Sequence, residues 1–278
     1  MARVSKYITD NIKFSHSVDD EPIDSDYPLH VHDDYELYCL VEGNVEYVVE
    51  GRVYEMRPGT LMIMRSAEIH KLVVRGGGRY ERYTLNFIPE LLFAHGFDKS
   101  IVDAFTNRGI GEQNRYEKDE FSEIEPLMFF RQMERSIGTG LEDTVIPAYL
   151  SALMCSVNGI FRSRSLSTAT KGDSFEERLI GYINEHLTED ISLKKISEEL
   201  HMSPSQINRI FNKITGTSVY NYVLSKRLVY AQGMIMRGEG AGSACVACGF
   251  RDYSSFFRQY KKRFGTPPSS LNNEKSHA

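Results

Sequence analysis

Three groups of residues have types and spacings that could do chemistry. The first is His30-x-His32-x-x-x-Glu36, with His70 arriving later in the chain. Imidazole nitrogens and a carboxylate oxygen suit a divalent transition metal. The same groups suit a sugar or another small polar metabolite, with Tyr38 and Tyr83 adding phenols. The second group contains Ser205, Gln206, Asn208, Arg209, Asn212 and Lys213. Ser205, Asn208, Arg209 and Asn212 recur at helical spacing and share a polar face with one fixed guanidinium fork. Such a face suits the DNA major groove, where arginine addresses guanine O6 and N7 and asparagine addresses adenine N6 and N7. A plain solvated helix face has the same spacing. The third group is Cys245-x-x-Cys248. Zinc would need a second cysteine pair or histidines at a suitable spacing, and none follows, so both thiols read as small buried helix residues.

The elements that must position the second group can be read from Ile191 to Gly216. Leu193, Ile196 and Leu200 form an inward stripe on a first helix that Ser192 can cap. His201-Met202 makes a turn, and Ser203-Pro204-Ser205-Gln206 starts the next helix with a capping box and a proline at its first position. That helix buries Ile207, Ile210, Phe211 and Ile214. Residues 242–265 repeat the design. A short helix of small residues ends at Gly249, and Asp252 caps another whose buried side is Phe256, Phe257, Tyr260 and Phe264. Tyr253, Ser254, Arg258 and Lys262 lie toward its other side, and Lys261 and Arg263 add charge near its end. Between the two units, Val219–Arg237 reads as one long helix, able to hold two reading helices about 34 Å apart, one turn of DNA.

The first group needs a β framework. Residues 28–88 supply it, with strands over Tyr35–Val41, Val45–Val49, Arg52–Met56, Leu61–Met64, Lys71–Val74 and Tyr80–Ile88. Glu50-Gly51 and Arg57-Pro58-Gly59 are turns. Six or so short strands imply a sandwich or barrel in which His30, His32 and Glu36 share one strand-face parity. Glu123–Ile137 and Thr144–Phe161 have helical spacing and could cover the barrel or pair with a second subunit. Arg162 to Ser174 is polar and reads as a linker.

Composition bounds the function. The 278 residues are 41% hydrophobic and 26% charged, as in ordinary globular domains. No uninterrupted apolar run approaches a membrane span, and the N-terminus lacks the apolar stretch of a secretory signal, which implies a cytoplasmic protein without membrane partners. Four scattered cysteines are too few for a disulfide framework. The net charge of −5 is uneven: residues 1–171 carry 19 Lys+Arg against 27 Asp+Glu, and residues 172–278 carry 14 against 11. Only the back part suits phosphates.

The C-terminal pattern resembles the AraC/XylS family of transcription regulators. The resemblance rests on Ile191-Ser192-Leu193, Met202-Ser203-Pro204-Ser205, Arg209-Ile210-Phe211 and Gly216-x-Ser218-x-x-x-Tyr222-x-x-x-x-Arg227-x-x-x-Ala231. It continues through Gly249-Phe250-x-Asp252-x-Ser254-x-Phe256-x-Arg258 and Phe264-Gly265-Thr266-Pro267. It implies a seven-helix domain with two reading helices. By position, Ser205, Asn208 and Arg209 fall on base-contacting positions of the first unit, and Tyr253, Ser254 and Arg258 on those of the second. The chain departs from the family at Ala244-Cys245, Ser197 and Ser270-Leu271. The histidine pattern resembles the first motif of the cupin barrel, with Arg65, Ala67 and Val74 departing from the second.

The expected fold is therefore multidomain, α and β. It comprises a cupin-like β-barrel with helices over 1–162 for sensing and dimerisation, a linker over 163–174, and an all-α domain with two helix-turn-helix units over 175–278. The expected function is a homodimeric, non-enzymatic regulator binding double-stranded DNA, controlled by a polar or sugar-like effector and needing no cofactor. The competing expectation is a metal-dependent cupin enzyme with a helical appendage, using His30, His32, Glu36 and His70.

Overall fold

The computed structural model describes residues 2–165 and 175–269. They form two compact units, one β-rich and one helical. The second comprises the helices from residue 175 onward together with the short segments Val31–Asp33 and Ala67–Ile69. Most of the expected linker lies outside the described residues, as does Ser270-Leu271.

The first unit contains nine strands: β1 Ala2–Ile8, β2 Ile12–Asp19, β3 Tyr35–Glu42, β4 Val45–Val49, β5 Arg52–Glu55, β6 Leu61–Met64, β7 His70–Val74, β8 Tyr80–Phe87 and β9 Arg115–Tyr116. Their pairings are antiparallel, in a six-stranded sheet ordered β1-β2-β8-β3-β6-β9 and a three-stranded sheet ordered β5-β4-β7. The expected strands are present, and β1, β2 and β9 are additional. Glu50 and Gly51 both have positive φ, the conformation a two-residue hairpin turn demands between β4 and β5.

Strand alternation gives the large sheet two buried faces. Tyr38, Leu40, Met62, Met64 and Tyr80 pack with Val45, Tyr47, Val49 and Leu72 of the small sheet. Leu37, Cys39, Leu61, Ile63, Tyr83, Leu85 and Phe87 face the opposite way, into a core shared with helices. Those helices are α1 Glu90–Ala94, α2 Asp103–Thr106, α3 Pro126–Ser136 and α4 Glu142–Ser165. The expectation that no apolar stretch approaches a membrane span does not hold: an 18-residue window within Glu142–Arg164 has a mean hydropathy of 1.5, and the helix is long and apolar enough to cross a bilayer. Polar residues interrupt its apolar run without lowering the average far. Half of the window is nevertheless buried inside the protein, and Ile146, Leu150, Leu153, Met154, Val157 and Phe161 join the core.

The second unit contains α5 Phe175–Glu185, α6 Leu193–Leu200, α7 Pro204–Thr215, α8 Val219–Met236, α9 Ala241–Ala247 and α10 Tyr253–Phe264. Ile196, Ile207, Phe211 and Tyr222 are buried in its first half, with the Phe211 and Tyr222 rings edge to face at 5.0 Å. Leu228, Ala231, Ile235, Ala244, Cys245, Cys248, Phe256 and Tyr260 form the second core. The C-x-x-C pair is thus packing material. Burial pushes the Cys248 thiol up to about 11, and its Sγ lies 3.7 Å from the Met234 sulfur.

Candidate DNA-reading face and effector site

Helix α7 is set by its own first turn. Ser203 accepts from the Gln206 backbone N–H at 3.3 Å, and Gln206 Oε1 accepts back from the Ser203 N–H at 3.3 Å. Pro204 occupies the first helical position, and His201 ends α6 with a left-handed φ of 54°. This corner leaves Ser205, Gln206, Arg209, Asn212 and Lys213 exposed on α7. Ile207 and Phe211 hold the helix to the unit, while Ile210 and Ile214 are only half-buried.

Asn208 departs from the expected reading face. It is half-buried, and its Oδ1 accepts from the Val219 N–H at 3.4 Å. At about 100° per residue, Asn208 lies midway between Ser205 and the buried Phe211, so α8 claims its side chain.

In the second unit Asp252 caps α10, accepting from the Ser254 and Ser255 N–H groups at 3.2 and 2.6 Å. Ser254, Arg258, Lys261 and Lys262 are exposed opposite Phe256 and Tyr260. Tyr253 is 43% exposed, but its ring leans on Phe256 and Phe257, with centroids 5.8 and 6.4 Å away. The two helices therefore present parallel chemistry. Each has an N-terminal turn bearing serine, then an arginine one turn on, then a lysine.

Four of the six expected effector residues converge. His30, His32, Glu36 and His70 each offer a ligand atom, all within 4.8 Å of one another. Their shared strand parity is not the reason. His30 makes a lone antiparallel bridge to His70, each N–H donating to the other's carbonyl at 3.0 Å, and β3 begins only at Tyr35. The chain bends between the histidines and Glu36. The His30 and His70 rings meet edge to face at 4.1 Å, and His70 Nε2 lies 3.4 Å from Glu36 Oε2. His70 and Glu36 are buried, His32 is intermediate and His30 is exposed, so the cluster opens on the His30 side.

Glu36 is further held by Tyr47 Oη, donating at 3.3 Å, and Asn86 Nδ2, donating at 3.2 Å. Tyr38 lines the same sheet face, its Oη 2.9 Å from that of Tyr80. Burial raises the Tyr38 and Tyr47 phenols well above their usual range, so both remain neutral donors. Tyr83 does not join this group. It stands on the opposite face of β8, donating to Glu134 Oε2 at 2.5 Å and stacking on His16 at 4.2 Å. The reason is register: β3 pairs Glu36 with Asn86, which turns Asn86 and Arg82 toward Glu36's side and the odd-numbered residues away. Tyr47, Asn86 and Tyr80 were missed by the sequence reading. Alternation along Tyr80–Ile88 carries the signal for Asn86 once one residue's facing is known.

Similarity to known proteins agrees with this division. An AraC-like ligand binding domain matches residues 18–139, and a helix-turn-helix domain matches residues 196–274. The uncharacterized transcriptional regulator YobQ of Bacillus subtilis is 39% identical over 95 residues, covering 34% of this chain and 39% of YobQ. The thermoregulatory protein LcrF of Yersinia pestis is 24% identical over 84% of this chain and 87% of its own. The transcriptional activator RhaS of Salmonella paratyphi B is 21% identical over 88% and 87%. A crystal structure of unsaturated-fatty-acid-bound ToxT from Vibrio cholerae aligns over 95% of each chain with 12% identity and a TM-score of 0.41. The three sequence relatives are regulators, not enzymes, and nothing among them favours the cupin-enzyme alternative. With an AraC-like ligand-binding domain followed by paired helix-turn-helix units, the chain belongs to the AraC family of transcription regulators.

Proposed function

We propose that the regulator reads two successive major grooves with α7 and α10, and that a small polar effector seated at His30, His32, Glu36 and His70 controls that reading. The observation that carries the DNA part is the exposed pair of faces, Ser205, Gln206, Arg209, Asn212 and Lys213 on one helix and Ser254, Arg258 and Lys262 on the other. Tyr253 contributes contact through its exposed edge. Arginine supplies the base-reading fork and the lysines anchor phosphates. Residues 1–162 then act as sensor, 163–174 as linker and 175–278 as reader, at work in the cytoplasm where the DNA is. Fluorescence anisotropy on the DNA upstream of its own gene tests this. Equal affinity for that DNA and for scrambled duplex at 150 mM salt would sink it.

The effector reading rests on two imidazoles at an open rim above a carboxylate held by Tyr47 and Asn86. A sugar's vicinal hydroxyls match such alternating donors and acceptors. A thermal-shift screen of sugars and other polar metabolites should yield a compound whose effect is lost in Glu36→Gln and His70→Ala. A second reading is favoured by the 4.8 Å convergence of three imidazoles and a carboxylate. That donor set suits a divalent transition metal acting as the effector. Elemental analysis after dialysis against zinc, cobalt or nickel separates the two, since a sugar site leaves no stoichiometric metal.

The homodimer reading rests on α4. Its exposed side carries Thr144, Ala148, Tyr149, Ala152, Cys155 and Gly159, an uncharged middle stretch between the exposed Asp143 and Arg162 near the helix ends. Two copies of so uncharged a middle stretch can approach closely.

A further inference from the structure

Arg227 lies on α8, midway between the two helix-turn-helix units, and none of its guanidinium nitrogens is spent on a carboxylate among the hydrogen bonds it makes. Nε donates to the Leu187 carbonyl at 2.7 Å and Nη2 to the Glu189 carbonyl at 2.5 Å. Nη1 donates to the Gly249 carbonyl at 2.7 Å. Leu187 and Glu189 belong to the connection from α5 into α6, and Gly249 belongs to the turn from α9 into α10. One side chain thus binds the backbone of both units at once. The rigid fork of a guanidinium can do this and a lysine ammonium cannot hold the same geometry.

Two further contacts join the same connections. Gly249 has a φ of +79°, and a Cβ there would lie 2.3 Å from the Thr188 carbonyl oxygen, so backbone meets backbone without room for a side chain. Asp190, in the first connection, pairs with Arg251, in the second. The exposed Arg251–Asp190 pair is worth little alone. Arg227 is half-buried, and it spends its donors on backbone carbonyls of both connections.

Four residues beyond Gly249 stands Tyr253, the first residue of the second reading helix. The first connection leads directly into α6, which delivers α7. We infer that Arg227 is a positioning residue for DNA recognition: it fixes the separation and phase of α7 and α10, so that the two helices accept only one spacing of their target boxes. Arg227 acts through the backbone carbonyls it holds rather than by contact with a base. Loss of its clamp frees α10 to swing about α8 and leaves α7, capped by its own Ser203 and Gln206, able to read alone. Avidity between linked modules then falls because the second module is no longer held at the right place.

The inference rests on the DNA-reading role of α7 and α10, so the test begins by selecting two-box duplexes from a random library with the full-length wild-type chain. Failure to select any sequence would strike the DNA reading rather than the clamp. With a selected duplex in hand, inserting 2 bp between the boxes turns one box by about 70° relative to the other. Wild-type affinity should fall about tenfold or more on insertion, whereas Arg227→Ala and Arg227→Lys should lose less than about threefold relative to their own uninserted value. Footprinting should show the variants still covering the first box. Two results would overturn the inference. One is a wild-type spacing preference retained in both variants. The other is loss of first-box protection together with the second, which would mean that Arg227 maintains the fold of the whole domain.

Discussion

Arg209 and Asn208 are neighbours on α7, and the helix gives them different work. Arg209 is exposed, while Asn208 Oδ1 receives the Val219 N–H at the start of α8. Arg209→Ala should therefore cost about 1–3 kcal/mol on the selected site and much less on scrambled DNA. Asn208→Ala should change sequence preference less than Arg209→Ala does; anisotropy on single-base variants of the site compares them, and a larger loss of discrimination from Asn208 would contradict the assignment. A second residue-level prediction concerns His16, which sits between Glu134 Oε1 and Glu81 Oε1 at 2.8 Å each. Burial pushes both carboxyls up, but bonds from Ser5, Tyr83 and His16 to Glu134, and from Arg79 and His16 to Glu81, outweigh it and hold both below the usual range. A carboxyl depressed in the folded state contributes stability above its unfolded pKa, and that stability is lost as pH falls through the folded value. Hydrogen exchange in α3 should accelerate, after correction for intrinsic rates, as pH drops from about 5 toward 3. The increase should be smaller in Glu134→Gln; an equal slope in the variant would remove the carboxylate from the account.

At the scale of the element, α7 was legible because its determinants are local. Ser203, Pro204 and Gln206 lie within four residues and specify where the helix starts whatever the rest of the chain does. Ser203→Ala should cost about 1 kcal/mol of stability in the helical unit, measured by urea denaturation monitored through helical circular dichroism. A cost near zero would show that Pro204 alone sets the start. Strands β1 and β2 escaped the sequence reading for the opposite reason. β1 has β2 as its neighbour, and β2 earns its place by pairing Ile12 with Phe87, seventy-five residues away. Segments such as Lys6-Tyr7-Ile8 and Lys13-Phe14-Ser15 alternate over too few apolar positions to declare themselves without that partner.

For the whole molecule, the α4 face makes the dimer testable. Cys155 is exposed and lies in the uncharged middle of that face, where a symmetric pairing would bring two copies of it near each other. A short bis-maleimide should cross-link the wild-type chain through Cys155, and Ala152→Arg should shift sedimentation from dimer to monomer without altering the circular dichroism spectrum. A monomer in the wild type would end the proposal. The division of labour between the units also predicts a separation of phenotypes. Changes at Glu36 or His70 should alter the response to effector, and changes at Arg209 should alter binding whether or not effector is present.

The sequence by itself determined the helical unit, its caps, most of its two exposed polar helix faces and the residue types of the histidine–glutamate cluster. These depend on spacings of three and four residues or on residue types alone. Tertiary structure decided that His70 reaches His30 through a single bridge, that Tyr83 turns away from Glu36, and that α8 takes Asn208. Strand register sets the first two, and one residue of register reverses every side chain. Tertiary structure alone also showed what Arg227 does. Its partners are the carbonyls of Leu187, Glu189 and Gly249, and a backbone carbonyl is the same in every residue, so no side-chain pattern announces it.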